Sequence, residues 1–206
     1  MADIDILAPE EKAREQGYSL ICGVDEAGRG PLAGPVYAAA VILPEHFDLP
    51  GLNDSKKLSP KKRELLDQLI REQAISFCIA SASEQEIDEI NILQATFLAM
   101  KRAESGLSTV ADIVLVDGNR DPGLSIKTEC IVGGDAKSAS IAAASILAKV
   151  ARDKVMQQLH EQYPMYCFDK HKGYPTKLHY EKISEYGVSP VHRKTFLKKY
   201  FAGKAQ

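Results

Sequence analysis

The fold is decided by residues 19–43, which read SLICGVDEAGRGPLAGPVYAAAVIL. Residues 19–24 are mostly apolar and lead into a turn-rich segment, 25–34, after which residues 35–43 are apolar again. Two strands joined by a glycine-rich bend fit this pattern best. The stretch therefore predicts the start of a β-sheet, with two acids, Asp25 and Glu26, directly after the first strand.

Helices and strands alternate along the rest of the chain. Ser59-Pro60 predicts a helix N-terminus, with the helix running to about residue 73. Ser83 and Glu86 match a capping box that opens a helix over 84–105. Two more helices are predicted at 138–159 and near 176–186, and strands at 75–83, 113–116 and 128–132. This order predicts an α/β fold with one central mixed sheet.

Length and charge suggest how the chain is organised. With 206 residues and 45% hydrophobic content, it is long enough to bury a full core. We expect an N-terminal extension (1–18), a central domain (19–162) and a helical C-terminal lobe (163–206) packed on that domain. Residues 1–150 hold 15 basic and 23 acidic side chains, and residues 151–206 hold 11 and 5. This asymmetry predicts a cation-binding body beside a phosphate-gripping lobe, although ordinary surface variation would also produce it.

Targeting and redox signals point to the cytoplasm. The first ten residues do not resemble a secretory signal, and no run of eighteen apolar residues predicts a membrane span. The four cysteines are widely spaced and form no CxxC motif, which favours reduced, buried thiols. We also expect a monomer, because no heptad pattern or long apolar face is left over.

Four acids occupy the same position relative to predicted strands: Asp25, Glu26, Asp117 and Asp135. Any one of them is more often a solvated turn residue or a helix cap. However, ligands of open α/β sheets bind at the carboxyl ends of strands, and carboxylates that converge there need a counter-cation. The oxygen-only donor set favours Mg²⁺ or Mn²⁺, whereas zinc is disfavoured because no Cys/His cluster has ligand spacing.

The glycine-rich loop over 27–35 adds a second component. Gly28 and Gly30 flank Arg29, so backbone N–H groups can approach a sugar or phosphate while the guanidinium binds phosphate. A tight bend between strands is the alternative interpretation. The loop matches neither GxGxxG nor the phosphate loop that ends in Gly-Lys-Ser/Thr.

Basic stretches form the third component. They cover residues 55–63, 170–177, and 192–194 together with 198–199. Such runs are usually solvated faces. The second one contains Tyr174, and basic charge beside an aromatic ring suits gripping of a nucleic-acid backbone plus stacking.

The chain resembles a known family, bacterial ribonuclease HII, a type 2 ribonuclease H. The resemblance rests on GVDEAGRGPLAGPV (23–36), NDSKKL (53–58), DGNR (117–120), AAASILAKV (142–150) and HKGYP (171–175), in the family's order across about residues 20–196.

The resemblance implies a ribonuclease H-like fold: a mixed sheet flanked by helices, with a C-terminal helical extension. It also implies an endoribonuclease that cuts the RNA strand of RNA/DNA hybrids and incises 5′ of ribonucleotides embedded in duplex DNA, leaving 3′-hydroxyl and 5′-phosphate ends. Two divalent ions would be held by the four acids. The resemblance assigns substrate binding to Gly28, Arg29, Gly30, Ser55, Lys56 and Tyr174.

Two other classes use similar residues. A metal-dependent phosphatase or nucleotidase would also cluster acids, but a small substrate needs no extended basic track. A noncatalytic nucleic-acid-binding module would need the basic track, but four acids at strand ends would be a liability.

Overall fold

The computed structural model describes residues 5–52 and 58–203. Two predicted substrate-binding residues, Ser55 and Lys56, lie outside the described residues.

Five strands form one mixed sheet in the order β3-β2-β1-β4-β5. The strands are β1 (Ile21–Ala27), β2 (Val36–Ile42), β3 (Ser76–Ala82), β4 (Ile113–Asp117) and β5 (Thr128–Ile131). The first three pair antiparallel, whereas β4 runs parallel to both β1 and β5. Because β1 and β4 are parallel neighbours, their carboxyl ends meet at one edge of the sheet.

Helices surround the sheet. They are α1 (Ala8–Glu15), α2 (Pro60–Gln73), α3 (Glu84–Ser105), α4 (Ala139–Gln162), α5 (Phe168–His171), α6 (Lys177–Tyr186) and α7 (Lys194–Ala202). The predicted caps are confirmed: Ser59 accepts from the N–H of Lys62, and Ser83 and Glu86 form the reciprocal capping box.

The core has one layer on each face of the sheet. Val24 and Ala38 pack with α3 on one face, and Ala39 and Val41 pack with α2 and α4 on the other. Small residues allow α4 to approach the sheet closely. A Cβ atom on Gly23 would lie 2.0 Å from a backbone carbon of Ser140. The predicted mixed sheet flanked by helices is therefore confirmed.

The structure departs from the predicted elements in three ways. β1 continues through Ala27, because its ladder with β2 extends to the Ala27–Tyr37 pair, so Asp25 and Glu26 lie in the strand and not after it. α3 is interrupted at Asn91, whose positive φ of 67° breaks the helix and whose side chain accepts from the N–H groups of Leu93 and Gln94. The predicted pattern also missed α1, α5 and α7.

Both ends of the chain contact the central part. Glu10 of α1 accepts from the Ser138 hydroxyl at 2.6 Å and from the Ser140 N–H at 2.8 Å, and thus caps α4. Leu32 packs with Ile183 and Leu197 of the C-terminal helices. The proposed division into an extension, a domain and a lobe remains a prediction.

All four cysteines are free thiols, as predicted, but only Cys22 is buried. Burial raises the pKa of Cys22 to about 12, so this thiol is protonated and unreactive at neutral pH. Within the described ranges, no helix is long and apolar enough to cross a membrane.

Candidate active site

Three of the four predicted acids meet at the edge where β1 and β4 end. Asp25 and Glu26 follow Val24, which pairs with Val116, and Asp117 is the last residue of β4. The parallel register therefore places Asp25 beside Asp117, and Glu26 and Asp117 both lie close enough to Asp25 for their charges to raise its pKa.

The environment of Asp25 is buried and electronegative. Asp25 is 4% exposed, and its Oδ1 accepts from the N–H of Glu26 at 2.6 Å. Burial raises the pKa of Asp25 well above its usual value, and the charges of Glu26 and Asp117 raise it further. A hydrogen bond from Ser145 lowers it in part. The three acids thus repel one another across a small space.

Asp135 lies next to this group. It is buried within a 3₁₀ turn, Gly134–Ala136, that joins β5 to α4. The N–H of Gly134 donates to Asp117 Oδ1 at 2.6 Å. A Cβ atom on Gly134 would meet Ile141 Cδ1 at 2.6 Å, so any larger residue there would force the Ile141 side chain to shift.

The donor chemistry of this site fits a hard divalent cation. The donors are carboxylates, and their mutual repulsion would be relieved by positive charge. Among the residues that the structure describes, no three His, Cys, Asp or Glu side chains lie in a ready-made metal-binding arrangement.

A cavity of about 350 Å³ opens beside the acids. Glu26, Arg29 and Asp117 line one side of it, and α3 supplies an apolar wall that includes Phe97 and Met100. Sequence reasoning missed this wall, because the apolar spacing of α3 indicated only core packing.

The glycine-rich loop is held from behind by two buried arginines. Arg193 donates to the carbonyls of Gly28 at 2.6 Å, Arg29 at 3.0 Å and Gly34 at 2.9 Å. Arg152 donates to two further carbonyls of the same segment, those of Ala33 and Pro35, at 3.2 Å each.

These contacts correct the interpretation of one basic stretch. His192 and Arg193 were predicted to lie on a phosphate-gripping surface, but they are 1% and 0% exposed. The partners of Arg193 are backbone carbonyls more than 150 residues away in sequence, a contact that no local pattern reveals. The roles of Arg152 and Arg193 were missed for this reason.

Gly28 has the geometry that the loop requires. Its φ of 100° favours glycine, and a Cβ atom there would lie 2.1 Å from Arg152 Nε. Arg29 is half exposed, with its Nη1 3.4 Å from Glu26 Oε1. The loop thus begins directly beside the acids.

Tyr174 lies against the same loop. The N–H of Leu32 donates to the carbonyl of Gly173 at 2.7 Å, and Arg152 donates to that of Lys172 at 3.0 Å. The Tyr174 ring is 41% exposed, and a Cβ atom on Gly30 would lie 3.7 Å from its Cε1. Acids, glycine-rich loop and tyrosine therefore form one continuous surface.

The remaining predicted basic residues of the lobe stay near the surface. Lys170 and Lys177 are exposed, and Lys172 is half-buried. The charge of the two exposed lysines is accessible to a polyanion that binds the lobe.

Comparison with known proteins gives a consistent result. The family model described as Ribonuclease HII matches residues 22–203. A curated relative, the ribonuclease HII of Endomicrobium trichonymphae, is 59% identical over 182 residues, which cover 88% of this chain and 87% of that protein.

Solved structures agree in fold. The ribonuclease H2 of Pyrococcus horikoshii OT3 superposes with a TM-score of 0.71 at 29% identity, covering 85% of this chain and 92% of that one. Bst-RNase HIII in complex with Mn²⁺ superposes with a TM-score of 0.66 at 18% identity, covering 85% and 65% of the two chains. This second likeness concerns the fold alone.

Proposed function

The chain belongs to the ribonuclease HII family, and we propose that it incises duplex DNA on the 5′ side of an embedded ribonucleotide, leaving 3′-hydroxyl and 5′-phosphate ends. Membership makes it a nuclease, a ribonuclease H that acts on RNA/DNA hybrids. Family membership therefore replaces the alternative functions that the sequence left open, namely a phosphatase or nucleotidase and a noncatalytic binding module.

One observation carries the finer proposal: the acids, the glycine-rich loop and Tyr174 form a single surface. The acids would hold the metal ions at the phosphodiester, and the loop and the Tyr174 ring would recognise the sugars on either side of it. A site for small phosphate esters would need only the first of these components.

Asp25, Glu26, Asp117 and Asp135 are the residues that would hold divalent metal. When bound, Mg²⁺ or Mn²⁺ would activate water and stabilise the leaving 3′-oxygen. The related Bst-RNase HIII binds Mn²⁺, which supports a divalent ion in this fold without choosing between the two. The acids themselves serve as ligands, and the burial of Asp25 limits its contact with water.

The loop would recognise the ribonucleotide through its N–H groups. The peptides of this loop are trans, so each N–H points opposite to the carbonyl of the preceding residue. Arg193 binds the carbonyls of Gly28 and Arg29 from the buried side. The N–H groups of Arg29 and Gly30 therefore face the open side, where a 2′-hydroxyl could accept from them.

Tyr174 would contact the sugar that follows the ribonucleotide. A flat ring packs well on a deoxyribose and would crowd an added hydroxyl, so it favours an RNA-to-DNA junction over the middle of an RNA tract. Its exposure and its position beside Gly30 suit this role.

The decisive experiment measures cleavage of a DNA duplex that contains one ribonucleotide, with and without Mg²⁺ or Mn²⁺, and identifies both product ends. We expect metal-dependent incision 5′ of the ribonucleotide. Tyr174→Ala should lose most junction cleavage and Tyr174→Phe should retain it, with both proteins folded. Normal junction cleavage by folded Tyr174→Ala would disprove the role given to the ring.

A further inference from the structure

Three buried histidines lie behind Tyr174. The rings of His171 and His179 stack with centroids 4.3 Å apart, and His179 Nε2 lies 3.1 Å from His192 Nε2. His171 and His192 fall in predicted basic stretches, but the sequence assigned none of the three a role of its own. Together they contact the backbone of the turn that carries Tyr174.

The hydrogen bonds around His192 determine where its proton is. The backbone N–H of Ser189 donates to His192 Nδ1 at 3.0 Å, and a backbone N–H can only donate. The Ser189 hydroxyl lies 2.8 Å from the same nitrogen and, because Nδ1 accepts, is a second donor to it. Neutral His192 therefore carries its proton on Nε2 and donates it to His179 Nε2.

The same reasoning determines where the proton of His179 is. Because His179 Nε2 accepts, its proton is on Nδ1, which lies 3.0 Å from the carbonyl oxygen of Tyr174. The result is a one-way histidine chain: Ser189 to His192 to His179 to the Tyr174 carbonyl.

The other side of the Tyr174 backbone is held by His171. The N–H of Tyr174 donates to the His171 carbonyl at 2.9 Å, and His171 Nδ1 accepts from the N–H of Gly173 at 3.2 Å. The Tyr174 N–H is thus bound by a main-chain carbonyl, and the Tyr174 carbonyl accepts from the His179 ring and, at 2.8 Å, from the N–H of Thr176. The backbone orientation in turn limits where the ring can point.

The electrostatics agree with neutral rings. Burial lowers the pKa of His179 and of His192 to about 4, and it also lowers that of His171. At neutral pH each ring has one donor and one acceptor, as this series of hydrogen bonds requires.

We propose that His179 is a positioning residue for substrate selection: its Nδ1–H holds the Tyr174 carbonyl and so keeps the ring against the Gly28–Gly30 loop. This inference rests on the proposed function, because it assigns His179 to the junction-reading role of Tyr174. His192 acts one step further back by fixing the tautomer of His179.

Two substitutions separate positioning from packing. In His179→Asn the amide nitrogen takes the place of Nδ1, so donation to the Tyr174 carbonyl is kept. In His179→Gln the amide lies near the place of Nε2, so that donation is lost and the contact with His192 is kept. Both variants remove the ring and its stacking on His171, which makes each a matched control for the other.

The readout is the ratio of kcat/KM on a single-ribonucleotide duplex to kcat/KM on a continuous RNA/DNA hybrid. We expect His179→Gln to lower this ratio about tenfold, because a misplaced contact group costs selective rate, and His179→Asn to keep it within about threefold. Loss of folded protein would lower both kcat/KM values equally and leave the ratio unchanged. Equal ratios for the two variants, with both proteins folded, would overturn the inference and leave the histidines a packing role.

Tyr174→Ala distinguishes this inference from the proposed function. If Tyr174→Ala leaves the ratio unchanged, the junction-reading role itself is wrong. If Tyr174→Ala lowers the ratio but His179→Gln does not, only the positioning role is wrong.

A measurement on the unaltered protein covers the case in which a variant does not fold. Nitrogen-15 spectra of the histidine rings at pH 7 should show His179 protonated on Nδ1 and His192 on Nε2. The opposite tautomer at His179 would overturn the inference, because that ring could not donate to Tyr174.

Discussion

Acidification from pH 7 to pH 5 should destabilise the protein through His179 and His192. Both side chains are nearly inaccessible to solvent, at 0% and 1% exposure, so solvent screening is negligible. In the folded protein burial lowers the pKa of each from 6.5 to about 4. Below pH 6.5 the unfolded chain therefore binds more protons than the folded one.

The sign and size follow from this difference in protonation. Stability is fully present above the unfolded pKa of 6.5 and is lost as the pH falls toward about 4. Between pH 7 and pH 5 each histidine should cost about 2 kcal/mol of unfolding free energy, or about 4 kcal/mol for the pair. Asp25 acts in the opposite direction, since its raised pKa lets the folded state take up a proton.

Comparison with a variant isolates the histidine contribution. His192→Asn keeps an acceptor near the Ser189 N–H but has no titrating ring. The measurement is the unfolding free energy from urea titrations at pH 7, 6 and 5 without metal. The difference between the original protein and the variant should shrink by about 2 kcal/mol over this range, and the contribution of Asp25 should cancel. A difference that stays constant within about 0.5 kcal/mol would refute the reasoning.

Three further predictions concern the acids, the sheet contact and the basic lobe. Asp25→Asn should lower cleavage by orders of magnitude yet leave the metal-free melting temperature unchanged or higher, because repulsion and burial of charge are relieved; a clear fall in that temperature would contradict the assignment. Gly23→Ala should cost about 3 kcal/mol or more in urea unfolding, since its Cβ would lie 2.0 Å from the Ser140 backbone, whereas Gly203→Ala, with its nearest neighbour at 3.6 Å, should be nearly neutral. The last variant replaces three lysines, Lys170, Lys172 and Lys177. It should weaken duplex binding for all sequences alike and flatten the salt dependence of Kd, by a slope of about 0.9 for each DNA phosphate that these lysines no longer neutralise; an unchanged slope would show that these charges do not bind the duplex.

Local signals predicted most of the fold. The caps at Ser59 and Ser83 and the apolar strands are recognisable in short stretches of sequence, because each depends on neighbours within a few residues. The break at Asn91 was not predictable in this way. The apolar periodicity continues on both sides of it, and only the positive φ reveals the interruption.

The sequence also contained the candidate chemistry. Acids at the ends of apolar strands, a Gly-Arg-Gly loop and a tyrosine in a basic turn indicated a divalent-metal site beside a phosphate-binding surface, and the resemblance to ribonuclease HII added the nuclease activity. Residue type alone reveals which groups can bind a cation or a phosphate.

Only the tertiary structure decided how those groups are held. The parallel register of β1 and β4 brings Asp25 to Asp117, and the burial of Arg193 turns a residue from a basic run into a support for the Gly28–Gly30 loop. The same is true of His179, whose partner is the Tyr174 carbonyl. A charged or titratable side chain looks the same in sequence whether water or a backbone carbonyl binds it, because that choice depends on contacts between segments that are distant in the chain.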